Sequence, residues 1–148
     1  HRDLHSFPTR RSSDLVRARH PKHPHKEALQ AWLATYDQAV RKIAAELKLP
    51  LVDLRAIIEK NGGAGISENS LIRCEKNGGG QDGVHLTAAA YALLGKRAFE
   101  VVGGSVKGGE TVVCFGDSLT FGAGVKGAGT AEGETYPAAL QRCFDARR

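Results

Sequence analysis

A short apolar run that ends at a glycine constrains the fold of this chain more than any other stretch of its sequence. Residues 111–115 (TVVCF) are β-branched or apolar, and Gly116 follows them directly. Such a run predicts a strand that is buried on both faces, as in a parallel sheet. Open parallel sheets bind ligands beyond the carboxyl ends of their strands. Ser118, which lies just beyond this strand, is therefore the first candidate nucleophile.

A second group of polar side chains follows a glycine-rich stretch. Residues 61–81 show little periodicity, which predicts a long loop, and they lead into Asp82 and His85. Thr87 then stands where a helix N-cap is expected. A serine hydroxyl is a weak nucleophile, so it needs a histidine base that is itself oriented by another group. Asp82 and His85 are the strongest candidates for such a pair.

Both strings resemble blocks of a known enzyme family. Residues 116–120 (GDSLT) resemble the nucleophile block of the GDSL, or SGNH, serine esterases and lipases, and residues 82–85 (DGVH) resemble the D-x-x-H block of that family. The resemblance implies that Ser118 attacks a small carboxylic ester and forms an acyl-serine, with His85 as base and then acid and Asp82 orienting its ring. It implies the backbone N–H of Ser118 as an oxyanion donor, and no metal or organic cofactor.

The resemblance also implies a fold, a flavodoxin-like three-layer α/β/α sandwich with a parallel sheet. The family's blocks occur here in reversed order, because the D-x-x-H string precedes the serine string, and the middle blocks that supply a glycine and an asparagine to the oxyanion site are not found. We interpret residues 1–15 as non-native sequence that resembles a translated sequencing adapter. Residues 16–104 then match the C-terminal part of such a domain and residues 105–148 its N-terminal part. One permuted domain and the junction of two copies both fit this order.

Helical periodicity predicts three helices, at about residues 26–48, 88–102 and 136–148, and residues 51–54 carry a short strand signal. Trp32 and Tyr36 are expected in the core. Asp53, at the end of the strand signal, is expected to cap the short helical segment that follows it. Because the middle blocks are missing, we expect no hydrogen bond between Ser118 and His85 in this chain alone.

The composition limits the classes of partner that this chain is expected to bind. The net charge of +5 forms no basic stripe with interleaved aromatic residues, which argues against nucleic acid as a partner. No apolar stretch approaches the roughly 20 residues that span a bilayer. Neither the 3 widely spaced cysteines nor the three histidines between residues 20 and 25 suggest a metal site.

Two other functions remain open at this point. The chain fits an inactive fragment or tandem-junction piece of an esterase, whose unpaired sheet edges would favour self-association. It also fits, less well, a small module that binds an anion or nucleotide at the glycine-rich turn after Phe115. The sequence contains no methionine, so we expect the native N-terminus to lie outside it and assign no cellular compartment.

Overall fold

The computed structural model describes residues 26–63 and 65–147. The interpretations of residues 1–15 and of the histidines at positions 20, 23 and 25 lie outside the described residues. The helices are α1 (Lys26–Glu46), α2 (Leu54–Lys60), α3 (Ala88–Val102), α4 (Ser118–Phe121) and α5 (Tyr136–Asp145), with 3₁₀ turns at Glu75–Asn77 and Gly103–Ser105. The three predicted helices are confirmed as α1, α3 and α5.

The predicted α/β/α sandwich with a parallel sheet is wrong for the part of the chain that the structure describes. Its one β-bridge is an isolated antiparallel contact between Ile72 and Leu86. The two predicted strands, at residues 51–54 and 111–115, form no ladder. The Asp53 side chain accepts a hydrogen bond from the N–H of Ala56, as expected for a cap, and the helix that it caps already begins at Leu54. A strand is stable only when it pairs with neighbouring strands, and none of the described segments forms backbone hydrogen bonds with residues 111–115.

Residues 111–116, called the extended segment below, form no helix, turn or strand. Within the described chain, these residues make no backbone hydrogen bonds. Val113 is 71% exposed and Phe115 is 74% exposed, whereas Val112 and Cys114 are half-buried. Exposed and half-buried residues alternate as they would in a strand with one covered face. The prediction of a strand buried on both faces is nevertheless wrong for this segment.

A short antiparallel pairing joins residues 70–74 to residues 83–87. The Arg73 N–H donates to the His85 carbonyl at 2.8 Å, the Gly83 N–H donates to the Arg73 carbonyl at 2.9 Å, and the Thr87 N–H donates to the Leu71 carbonyl at 3.0 Å. Apolar side chains anchor both segments in the core. Residues that are fully buried there are Ile58, Ile72, Leu86 and Tyr91. This pairing crosses what the sequence predicts to be a loop.

Helix α1 is covered on only part of its apolar stripe. Leu33 and Ala44 are buried, whereas Trp32 is 57% exposed and stacks on Tyr36 with ring centroids 5.9 Å apart. The expectation that Trp32 belongs to the core is therefore wrong. The amphipathic period of α1 predicts the helix correctly, but the described chain supplies too little apolar surface to cover its whole stripe.

Helices α3 and α5 form the main contact between the two predicted parts of the chain. Gly95 lets them approach closely, since a Cβ atom there would lie 2.5 Å from Ala139 Cβ and 2.7 Å from the Tyr136 carbonyl oxygen. Phe99 and Phe144 pack edge to face farther along, with ring centroids 5.1 Å apart. Residues on either side of the glycine-rich linker thus share one core, whichever explanation of the block order applies.

We expect Gly95→Ala to destabilise the fold. Alanine favours a helix interior by about 1 kcal/mol over glycine, but the added methyl group must push α5 away, and overpacking of this kind costs about 1–3 kcal/mol. Urea unfolding followed by circular dichroism measures the net effect. Gly104→Ala is the control, because the space around Gly104 is open. A Gly95→Ala protein as stable as the Gly104→Ala control would contradict this packing.

Candidate catalytic site

Backbone and side-chain hydrogen bonds hold the turn that contains Asp82 and His85. Asp82 Oδ1 accepts hydrogen bonds from the backbone N–H groups of Val84 at 3.0 Å and His85 at 2.9 Å. The His85 ring nitrogen Nδ1 lies 3.0 Å from both carboxylate oxygens of Asp82. The carboxylate therefore fixes the His85 ring through Nδ1 and leaves Nε2 for another partner, as a general base requires.

These contacts also keep Asp82 ionised. Burial alone would raise the pKa of the Asp82 carboxyl, but the hydrogen bonds from the His85 backbone, the His85 ring and the Val84 backbone outweigh it, so the pKa is lowered from 3.8. A carboxylate that accepts several N–H groups is stabilised in its charged form. Asp82 is thus an anion throughout the neutral range, which suits a residue that orients a histidine.

Two elements hold the Asp82–His85 turn in place. On one side, the antiparallel pairing joins Arg73 to Gly83 and His85 through the backbone. On the other side, Thr87 caps α3, since its hydroxyl accepts from the Ala90 N–H at 3.3 Å. The capping role predicted for Thr87 is confirmed. The turn is therefore fixed at both ends by hydrogen bonds, and the side chains of Asp82 and His85 remain partly exposed.

Ser118 is the first residue of α4, directly after the extended segment. Asp117 caps this short helix by accepting from the Leu119 N–H at 2.9 Å, and Leu119 is buried. Ser118 itself is exposed, and neither its hydroxyl nor its N–H makes a hydrogen bond within the described residues. The N–H that the family resemblance assigns to the oxyanion is thus unengaged by backbone carbonyls.

The structure brings Asp82 and His85 together, but in the described residues it shows no hydrogen bond between Ser118 and His85. Residues of both motifs act on Tyr91. Burial and the charges of Asp82 and Asp117 together raise the pKa of the Tyr91 hydroxyl to about 12. Tyr91 on α3 therefore lies within electrostatic reach of the residue that orients His85 and of the residue that precedes Ser118.

A cavity of about 310 Å³ lies elsewhere, between the linker and α5. Val112, Leu140 and Phe144 are among the side chains around it, whereas Ser118, His85 and Asp82 do not line it. The half-buried residues of the extended segment, Val112 and Cys114, line this cavity. We therefore place the candidate chemistry outside this cavity, at the surface between the Asp82–His85 turn and α4.

No cluster of histidine, cysteine and acidic side chains suited to a metal ion occurs in the described part of the chain. Across the same residues, no helix combines the length and the apolar content needed to cross a bilayer. No family model, curated protein or solved structure matches this chain significantly. The resemblance to the GDSL esterases therefore rests on the two short motifs alone.

Sequence reasoning missed one residue of this region. Arg73 was assigned to a featureless loop, yet its side chain extends to the Asp82 carboxylate and to the loop after α4. The sequence signal for this residue is a charge inside the apolar string at residues 71–74 (LIRC), which is the pattern of a short strand. The glycines on both sides favour the interpretation as a loop instead.

We expect Asp82→Asn to destabilise the protein in a way that depends on pH. Because the folded-state pKa of Asp82 is lowered, its contribution to stability is full above the unfolded value of 3.8 and is lost as the pH falls through the folded-state pKa. Loss of the charged hydrogen bonds should cost about 1–3 kcal/mol at neutral pH. Urea unfolding of both proteins from neutral pH to below 3.8 gives the difference. A difference that does not shrink in acid would contradict the assignment.

Proposed function

We propose that this chain carries the catalytic residues of a serine esterase, with Ser118 as nucleophile, His85 as general base and Asp82 as the residue that orients His85. The observation that carries the proposal is the double contact of His85 Nδ1 with the Asp82 carboxylate at 3.0 Å. That contact supplies an oriented imidazole, and the Arg73 side chain, which contacts both the Asp82 carboxylate and the loop after α4, supports a serine nearby.

The reaction begins when Ser118 Oγ attacks an ester carbonyl and His85 Nε2 takes the hydroxyl proton. Asp82 stabilises the imidazolium that forms. His85 returns the proton to the leaving alcohol. In the second half of the reaction His85 takes a proton from a water molecule, which attacks the acyl-serine. His85 then gives that proton to Ser118 Oγ as the carboxylic acid leaves. The unengaged backbone N–H of Ser118 donates to the oxyanion in each tetrahedral intermediate.

The number of oxyanion donors limits the class of ester that we expect as substrate. Loss of a single oxyanion donor reduces the rate by about 10²-fold to 10³-fold. With one such donor identified, we expect turnover only of activated esters of small acids, whose leaving groups need little help. Ser118 is exposed, which leaves room for a small acyl group.

Labelling with a fluorophosphonate tests the nucleophile and the base together. We expect the reagent to modify Ser118, as located by peptide mass spectrometry, and Ser118→Ala to abolish the label. His85→Ala should slow labelling by about 10²-fold or more, since general base catalysis contributes that much. Ser105→Ala, which removes another exposed serine, is the matched control and should label as the parent does.

Labelling that is spread over several serines, or that persists unchanged in His85→Ala, would contradict the proposal. Circular dichroism of each variant separates loss of activation from loss of fold. An unlabelled parent chain with an intact helical spectrum would overturn the proposed activity for this chain.

A second candidate function is self-association through the extended segment at residues 111–116. The observation in its favour is that Val113 and Phe115 are more than two-thirds exposed and that the backbone beside them is unpaired in the described chain. The segment has no charged residue or proline of the kind that protects natural sheet edges. In this case the chain acts as an inactive piece whose edge pairs with another copy.

Sedimentation velocity over a range of concentrations separates the two candidates. If the segment pairs between copies, the parent should form dimers or larger species, and Val113→Lys should return it to monomer. Ile43→Lys, at a position on α1 that is 52% exposed, is the matched control and should leave association unchanged. A parent chain that stays monomeric at all concentrations would exclude this second function.

A further inference from the structure

The Arg73 side chain connects the two segments that carry the candidate catalytic residues. Its Nη1 atom donates to the Gly124 carbonyl at 2.6 Å, in the loop that follows α4. Its Nε atom is buried, forms an ion pair with Asp82 Oδ2 at 3.4 Å and makes no hydrogen bond in the described structure. One guanidinium therefore touches the carboxylate that orients His85 and the loop that begins a few residues after Ser118.

The main chain of Arg73 is tied to the same turn. Its N–H donates to the His85 carbonyl at 2.8 Å and its carbonyl accepts from the Gly83 N–H at 2.9 Å. The position of the guanidinium relative to His85 is thus set by the antiparallel pairing, and the side chain is only 26% exposed. A displacement of Arg73 would move the turn and the loop relative to each other.

Gly124 is shaped to receive this side chain. A Cβ atom at Gly124 would lie 2.6 Å from Arg73 Nε and 2.8 Å from Arg73 Cδ. Its φ of +87° also lies in the left-handed region that favours glycine. The loop after α4 therefore needs glycine here both for its own turn and for the close approach of Arg73.

We propose that Arg73 is a positioning residue that fastens the Asp82–His85 turn to the loop after Ser118 and so sets the distance between base and nucleophile. This inference rests on the proposed function. A guanidinium suits the task because its planar fork can reach a carboxylate and a carbonyl at once, whereas a lysine ammonium is a single point charge on a flexible stem. Arg73 touches neither the ester nor the reacting atoms.

Substitution of Arg73 should slow labelling of Ser118 by a fluorophosphonate. A misplacement of about 1 Å between reacting groups reduces rates by up to about 10²-fold, so we expect Arg73→Gln and Arg73→Lys each to lower the labelling rate by about 10-fold to 10²-fold. Arg97→Gln is the matched control, since Arg97 forms an exposed pair with Glu100 and should label as the parent does.

The concentration dependence of labelling separates positioning from general loss of structure. A misplaced base slows the covalent step after the reagent has bound. Arg73→Gln and Arg73→Lys should therefore lower the limiting rate of labelling and leave the half-saturating reagent concentration unchanged. A change confined to the half-saturating concentration would contradict the assignment.

A double-variant cycle with Gly124 tests the contact between Arg73 and the loop after α4, and its unfolding readout does not depend on catalysis. We expect Arg73→Gln and Gly124→Ala to be non-additive, in labelling rate and in the urea-unfolding equilibrium, because both break the same contact. Gly109→Ala is the matched control, since Gly109 has a φ of +85° with nothing near its Cβ position, and it should combine additively with Arg73→Gln.

The two readouts distinguish failure of this inference from failure of the proposed function. If the parent labels and Arg73→Gln labels equally fast, Arg73 does not position the base and the inference is overturned. If the parent does not label, the proposed function falls. The cycle then decides the contact alone, which is supported by coupled unfolding constants and overturned by additive ones.

Discussion

The antiparallel pairing between residues 70–74 and residues 83–87 is the constraint on which the rest of the candidate site depends. Three backbone hydrogen bonds cross it, and the buried side chains of Ile72 and Leu86 hold it in the core. Residues of a glycine-rich loop would otherwise be free to move, because loops of this composition have few contacts of their own. The pairing turns the D-x-x-H string into a rigid turn that presents an oriented histidine.

The helical packing supplies the second half of the arrangement. Gly95 brings α5 against α3, and α5 belongs to the same part of the chain as Ser118. The loop after α4 therefore reaches the D-x-x-H turn, where Arg73 contacts both the Asp82 carboxylate and the Gly124 carbonyl. What this packing does not supply is a sheet. Residues 111–116 stay extended and half exposed, which leaves α4 attached to the core mainly through Leu119 and the loop that follows.

The sequence predicted local structure well and layer architecture badly. The period of apolar residues predicts α1, α3 and α5, and the chemistry of Asp53 and Thr87 predicts the N-caps of α2 and α3, because helices and caps are decided by neighbours in sequence. The parallel sheet was inferred from two strand-like segments and a family resemblance. A sheet depends on pairing between distant segments, and no local pattern reports whether such partners are present.

The candidate site shows the same division. Asp82 and His85 are three positions apart, so their contact follows from local spacing and was predictable. The role of Arg73 depends on Gly124, which lies 51 positions away, and nothing in the string around Arg73 indicates that contact. Ser118 is a candidate because it follows the predicted strand and because its flanking residues match a known motif, whereas its relation to His85 is a tertiary property that no local pattern predicts.

Detection of an acyl-serine is the most direct test of the central claim that Ser118 and the Asp82–His85 pair form one catalytic unit. The chain is mixed with an activated acetyl ester, quenched in acid at short times and digested for peptide mass spectrometry. The account predicts an acetyl group on the peptide that contains Ser118, formed quickly in the parent and much more slowly in His85→Ala. An acetyl group that appears only on lysines, or that forms at Ser118 equally fast without His85, would contradict it.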